Sequence, residues 1–216
     1  MDSSTSARSQ RRRGPRGQDA AIKTALLEAG ASLYATKGLA PISLREIADG
    51  ARVNPAMVRY YFKDRHGFLG ALLDYGYEAV LREARTHAEV APSDLENLLS
   101  GIFRAVSDRP WLPILLMQTV LGGSELRDAF INQHVPRMRA TLRDALQRAA
   151  GAGDLRRDLD PDLALLTLVS MMFFPQVARP VVSRAFGVTV DRQFGERLAG
   201  FATQLLCSNS AGGRRC

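Results

Sequence analysis

Residues 42–63, ISLREIADGARVNPAMVRYYFK, decide the fold of this chain, because they read as two short helices joined by a tight turn. Ser43 and Glu46 stand at the S-x-x-E spacing of a capping box. In such a box the serine oxygen accepts from the amide three residues on, and the glutamate reaches back to the serine amide. Leu44, Ile47 and Ala48 then share one face at helical spacing. Gly50, Ala51 and Arg52 interrupt this helix after barely two turns. Asn54 suits the N-cap of a second helix, and Pro55 suits its first turn, where a missing N–H is no loss. Val58 and Phe62 lie one turn apart and face inward together. Ala56, Met57, Arg59, Tyr60 and Lys63 are left on the other side.

A helix-turn-helix needs this division: one apolar side holds the second helix against its neighbours, and its free side enters a major groove. The flanks agree. A preceding amphipathic helix is expected from Asp19, its N-cap, to Gly38, its stop, with Ile22, Ala25, Leu26, Ala29, Leu33 and Tyr34 inward. A long following helix is expected from Asp64 to about Ala88, with Phe68, Leu69, Leu72, Leu73 and Tyr77 at helical spacing.

Over about residues 19–75 the sequence resembles the TetR family of one-component transcriptional regulators, whose usual pattern is T/S-x-R-x-I-A-x-x-A-G-V-S-x-G-x-L-Y-x-H-F-K. Ser43, Arg45, Ile47, Ala48, Ala51, Val53, Phe62 and Lys63 match it, and Asn54 stands where serine is common. The resemblance implies an all-α chain: an N-terminal three-helix helix-turn-helix DNA-binding domain (19–65, with the motif itself at about 42–61) and a larger helical ligand-binding and dimerisation domain (66–208). It implies a cytoplasmic homodimer on a double-stranded palindromic operator, released by a small-molecule effector, with repression the common mode. By match to the pattern, Ser43, Arg45, Tyr61 and Lys63 approach the phosphate backbone. Asn54, Pro55, Ala56, Met57, Arg59 and Tyr60 present the end and face that enter the groove. Two departures stand out: Arg52 occupies the usual turn glycine, and Arg59 replaces the usual tyrosine. A positive φ at Arg52 carries a strain of about 1 kcal/mol or slightly more. Arginine pairs bidentately with guanine O6 and N7, so Arg59 bears most directly on the operator sequence.

Charge follows the same division. The net charge is +7. Residues 1–70 hold 12 Lys/Arg against 6 Asp/Glu, a net of +6, and the remainder holds 17 against 16, a net of +1. Excess positive charge therefore coincides with the DNA-reading segment, as phosphate binding requires. Residues 1–18 are rich in Ser, Arg and Gly with nothing to bury, so we expect a disordered basic arm, as we expect a disordered tail at 209–216. Arg8, Arg11, Arg12, Arg13 and Arg16 either follow DNA phosphates or a minor groove, or belong to a solvated tail without defined contacts. His66, in the first turn of the fourth helix, is either a phosphate contact or a plain surface histidine.

Downstream, every segment reads as helix. Ser93 and Glu96 form a second capping box ahead of Leu95, Leu98, Leu99, Ile102, Phe103 and Val106. Pro110 opens a helix apolar nearly all round, from Trp111 to Leu121, expected to be buried. Ser124 caps another, which runs through a kink at Pro136 to about Ala150. Asp160-Pro161 starts a densely apolar helix kinked or ended by Pro175. A last one covers about Asp191–Cys207 with Phe194, Leu198, Phe201, Leu205 and Leu206 inward. Two uses compete for this apolar surface, a four-helix bundle with a second chain and a ligand cavity. We assign segments 161–184 and 191–207 to the homodimer and Phe103, Trp111, Met117, His134 and Met171 to the cavity. Plain core is the competing role for each of these five.

Catalysis is not expected. His66, His87 and His134 are scattered, and no G-x-S-x-G, H-E-x-x-H or phosphate-binding loop is present. No cofactor and no metal are expected: the two cysteines make neither a disulfide framework nor a metal quartet, and Cys207 reads as a small core or interface hydrophobe. No apolar stretch is long enough to span a membrane. The alternative function is a non-specific architectural DNA-binding protein, with affinity that depends on salt but not on sequence.

Overall fold

A computed structural model describes residues 15–38, 40–91, 94–122 and 125–207. It is all helical, with no strand among these residues beyond an isolated bridge between Leu155 and Cys207. Three helices come first: α1 (Pro15–Lys37), α2 (Leu44–Ala51) and α3 (Pro55–Phe62). The long α4 (Arg65–Val90) leads to α5 (Leu95–Ser107), α6 (Trp111–Leu121), α7 (Glu125–Gln133) and α8 (Val135–Gly151). α9 (Pro161–Val177), α10 (Arg179–Phe186) and α11 (Arg192–Leu206) complete the order. No single helix among them is long and apolar enough to cross a membrane.

α4 is the axis. It packs on α1 and α3, which hold α2 between them, and on α5, α6 and α8. The joint to the reader is aromatic: Phe62 at the end of α3 meets Phe68 edge-on, ring centroids 5.1 Å apart. Gly30 of α1 lets the Phe68 ring come so close that a Cβ there would lie 2.4 Å from Cζ. α11 closes the other side, packing on α5 and α9.

Local chemistry sets most helix ends. Asp64 accepts from the Gly67 amide at 2.8 Å, Asp160 from Asp162 and Leu163, and Asp191 from Phe194. Asp94 caps α5, accepting from Asn97 at 2.7 Å. The expected cap Ser93 lies outside the described residues, as do Ser124, the tail after Cys207 and the arm up to Gly14.

Several expectations are corrected. α1 starts at Pro15 rather than Asp19, so residues 15–18 are helical; proline is suited to a first helical turn. The segment expected as one kinked helix to Ala150 is two, α7 and α8, broken at His134. Pro136 lies in the first turn of the new helix, where its missing N–H breaks no bond. Pro175 is held inside α9, and the chain turns by 87° into α10 two residues later. Phe201 and Leu205, expected inward on α11, are 55% and 45% exposed, because Ala199, Ala202, Thr203 and Leu206 supply the packed face. Val120 and Leu121 on α6 are likewise exposed. Cys207, half-buried at the end of α11 rather than set in the core, is disulfide-bonded.

Candidate functional site

The reading head is built from the turn outward. At Ser43 both halves of the capping box are present: Glu46 N donates to Ser43 Oγ at 3.2 Å, and Ser43 N donates to Glu46 Oε2 at 2.9 Å. Lys37 at the end of α1 also bonds Glu46, tying α1 to the start of α2. Hydrogen bonds from Lys37 and then from Ser43 hold the Glu46 carboxyl at about 2. The turn passes through Arg52 in the left-handed region, φ 56° and ψ 42°, the conformation expected if arginine stood in for glycine. Asn54 Oδ1 then accepts from the Ala56 amide at 2.8 Å, and Pro55 opens α3.

α3 is anchored from behind by Val58 and Phe62, both buried, in contact with α2 and α4. Its outer surface exposes Asn54, Pro55, Ala56, Arg59 and Tyr60, with Met57 half-buried beside them. Tyr60 is 72% exposed, far more than a tyrosine serving the core. Arg59 is exposed and makes no ion pair among the described residues. Ser43, Arg45 and Lys63 are exposed as well. Tyr61 is placed differently: its hydroxyl donates to Asp19 Oδ1 at 2.9 Å, stapling α3 to α1. Desolvation and the Asp19 carboxylate push this phenol up, which keeps it a donor. Asp19, expected as a helix cap, is thus one turn inside α1 and serves as this acceptor.

The second feature is a partly open cavity of about 530 Å³ lined mainly by α4, α5, α6, α8 and α9. Tyr77 and Val80 of α4 form one wall, with Leu99 and Ile102 of α5 and Leu112 and Leu116 of α6 beside them. Phe130, Met138 and Leu142 stand opposite Leu165, Leu168, Met172 and Phe173. Burial pushes the Tyr77 phenol well above its ordinary value, so its hydroxyl keeps its proton. Among the described residues, Arg139 and Asp162 are the only charged ones in the lining.

None of the five residues assigned to the cavity from sequence lines it. Phe103 is buried against Phe194, ring centroids 5.9 Å apart. Trp111 packs over Gly76. His134 stands behind the wall between Tyr77 and Phe130. Met117 and Met171 are half-buried outside the lining. Their chain neighbours Leu112, Leu116, Val135 and Met172 take the lining positions. An apolar cavity wall and an apolar core have the same composition, so no local signal separates them.

Comparison with known proteins agrees with this geometry. A family profile described as "Bacterial regulatory proteins, tetR family" matches residues 26–72, and one described as "Tetracyclin repressor-like, C-terminal domain" matches residues 89–199. A probable transcriptional regulator of Bacillus subtilis, YttP, is 34% identical over 87 residues, covering 39% of this chain and 42% of its own. The transcriptional repressor Rv3405c of Mycobacterium tuberculosis is 28% identical over 188 residues, 87% of this chain and 88% of its own. A solved regulatory protein from Rhodococcus RHA1 superposes with a TM-score of 0.72 at 20% identity, over 87% of this chain and 98% of its own.

Proposed function

Because this chain belongs to the TetR family of bacterial regulatory proteins, we propose that it grips a palindromic operator as a two-fold dimer and lets go when a small molecule fills the α4–α9 cavity. It is a sequence-specific DNA-binding transcriptional regulator of the repressor type and not an enzyme. The reader comprises residues 19–65 and the sensor and dimer body residues 66–208. The observation that carries the reading is the two-sidedness of α3: Val58 and Phe62 are buried while Arg59 and Tyr60 face water.

On DNA, Ser43, Arg45 and Lys63 approach phosphates from the mouth of the groove. Asn54, Pro55, Ala56, Met57, Arg59 and Tyr60 face base edges, with Arg59 on a guanine and Met57 or Ala56 on thymine methyls. Tyr61 meets the backbone only by exchanging Asp19 for a phosphate. One two-turn helix reads a few base pairs, so a palindrome needs two helices about 34–36 Å apart. The exposed apolar side chains of α9 and α11 that stand outside the cavity lining, Leu163, Phe174, Phe201 and Leu205, are the surface we assign to the second copy. Its place of action is the cytoplasm, where the chromosome lies.

Coupling follows from α4. Tyr77 and Val80 line the cavity, and three turns earlier Phe68 holds Phe62 of the reader. A ligand that fits the cavity best when α4 is shifted changes the spacing of the two reading helices. Its differential affinity for the two states sets how far the equilibrium moves. The test is selection of bound fragments from random DNA with the purified protein. A palindrome enriched over background is expected; enrichment without sequence preference contradicts the reading and favours an architectural role.

A further inference from the structure

The lining of the cavity is apolar except at one rim. There Arg139 Nη2 lies 3.2 Å from Asp162 Oδ1, and Arg143 Nη1 lies 3.8 Å from the same oxygen. Arg139 and Arg143 are one turn apart on α8, so they share one face of the helix. Asp162 sits in the first turn of α9, its amide held by the cap Asp160. The three side chains are about half to two-thirds exposed, which places them where the cavity meets water. Two guanidiniums thus share one carboxylate at the mouth of an apolar chamber. Glu78 of α4 and Arg137 of α8 are paired with each other.

An arginine fork matches a carboxylate in two parallel hydrogen bonds, and Asp162 uses only one of its oxygens here. A ligand carrying its own carboxylate, with an apolar body inside the chamber, makes the contacts Asp162 now makes and releases that exposed side chain to water. A neutral apolar ligand gains nothing at this rim. Resting on the ligand-responsive reading above, we propose that the effector is an anionic amphiphile, a carboxylate with an apolar hydrocarbon body, held by Arg139 and Arg143 with its hydrocarbon against Leu165, Val169 and Met172.

The experiment compares dodecanoate, dodecanol and the neutral apolar dye Nile red on the full chain. Calorimetry measures binding, and fluorescence of the single tryptophan, Trp111, beside the lining residue Leu112, reports it independently. Dodecanoate is expected to bind about tenfold more tightly than dodecanol, the scale of one charge-assisted hydrogen bond. The double variant Arg139→Ala/Arg143→Ala is expected to erase that preference while keeping its affinity for Nile red. Asp162→Asn is expected to strengthen dodecanoate several-fold by removing its competitor. Dodecanol binding as tightly as dodecanoate to the unaltered protein, or a preference that survives in the double variant, overturns the anionic assignment and leaves the cavity reading standing. Nile red binding with neither dodecyl compound bound overturns it too. Failure of all three to bind overturns the cavity reading along with it.

Discussion

His134 Nε2 lies 2.7 Å from Asp74 Oδ1, joining the break between α7 and α8 to the middle of α4 across 60 residues of sequence. A carboxylate only accepts, so Nε2 carries the hydrogen of this bond. The histidine is buried, and its Nδ1 has no partner among the described residues. Asp74 is therefore the only hydrogen-bond partner this imidazole has there.

Removing Asp74 strands a buried polar ring. Asp74→Ala is expected to lower the free energy of unfolding by about 1–3 kcal/mol, the usual loss for a buried group left without its partner. Asp74→Asn keeps an acceptor oxygen and is expected to lose less than half as much. Urea unfolding followed by circular dichroism measures both; an alanine variant within about 0.5 kcal/mol of the unaltered protein, the scatter of ordinary surface substitutions, shows that the bond carries no stability.

Arg52 offers the opposite case, a substitution that stabilises. Its φ of 56° places an L side chain in the left-handed region, at about 1–2 kcal/mol. Glycine adopts that region freely but adds entropy to the unfolded chain, which offsets about 0.5–1 kcal/mol. Arg52→Gly is thus expected to raise stability by up to about 1 kcal/mol, read as a shift in the urea midpoint. A lowered midpoint would show that contacts of the Arg52 side chain outweigh its backbone strain.

The turn was legible because its signals are local. Ser43 to Glu46 and Asn54 to Pro55 are spacings of one to three residues, and the bonds they encode form wherever the helix ends. The break at His134 was not legible: Pro136 permits a kink or a new start, and packing of His134 between Tyr77 and Phe130 accompanies the new start. The cavity was least legible. Met172 lines it and Met171 does not, a difference decided by which flank of α9 meets α6 and α8 rather than by anything in the two side chains. The outward turn of Phe201 was hidden for the same reason, since a large exposed aromatic reads as core until its neighbours are known.

Arg59 bears on specificity. Exposed on α3 and in no ion pair among the described residues, it is available to a base edge. Arg59→Ala is expected to weaken binding to the best selected operator by about 1–3 kcal/mol and to relax preference at one G·C pair. Lys63→Ala is expected to weaken all sequences alike and to reduce the salt slope by about one unit. Titrations on operator and scrambled DNA at several salt concentrations separate the two; equal losses on both DNAs for Arg59→Ala would mark it as a phosphate contact.

Glu46 makes the α1–α2 joint sensitive to acid. Its carboxyl is lowered from 4.5 to about 2, first by the bond from Lys37 and then by those from Ser43. The unfolded chain takes up this proton before the folded one does. The contribution is therefore complete above about pH 4.5 and is lost as pH falls through the folded value near 2. Glu78 beside Arg137 and Asp158 beside Arg156 shift in the same direction, so the readout is a difference. The stability gap between the unaltered protein and Glu46→Gln is expected to stay constant from neutral pH to about 4.5 and to narrow below it. A gap independent of pH throughout means that Glu46 titrates alike in both states.

The outward faces of α9 and α11 supply the last expectation. Phe174 is 60% exposed and Phe201 55%, neither lines the cavity, and α9 packs directly on α11. Large aromatics left in water on adjoining helices are the residue type on which dimer interfaces depend, where truncation of a central one costs about 2–4 kcal/mol. A guanidinium set against its own copy across a two-fold axis adds like-charge repulsion. Phe174→Arg and Phe201→Arg are expected to raise the dimer dissociation constant by about a hundredfold or more, the equivalent of roughly 3 kcal/mol. Because both side chains already face water, the helical content of each variant is expected to match that of the unaltered protein. Sedimentation velocity across a concentration series checks the assembly, and the same samples on operator DNA check the consequence: a folded monomer occupies one half-site and loses the affinity that two linked half-sites provide. A variant that stays dimeric and keeps full operator affinity places the interface elsewhere on the body.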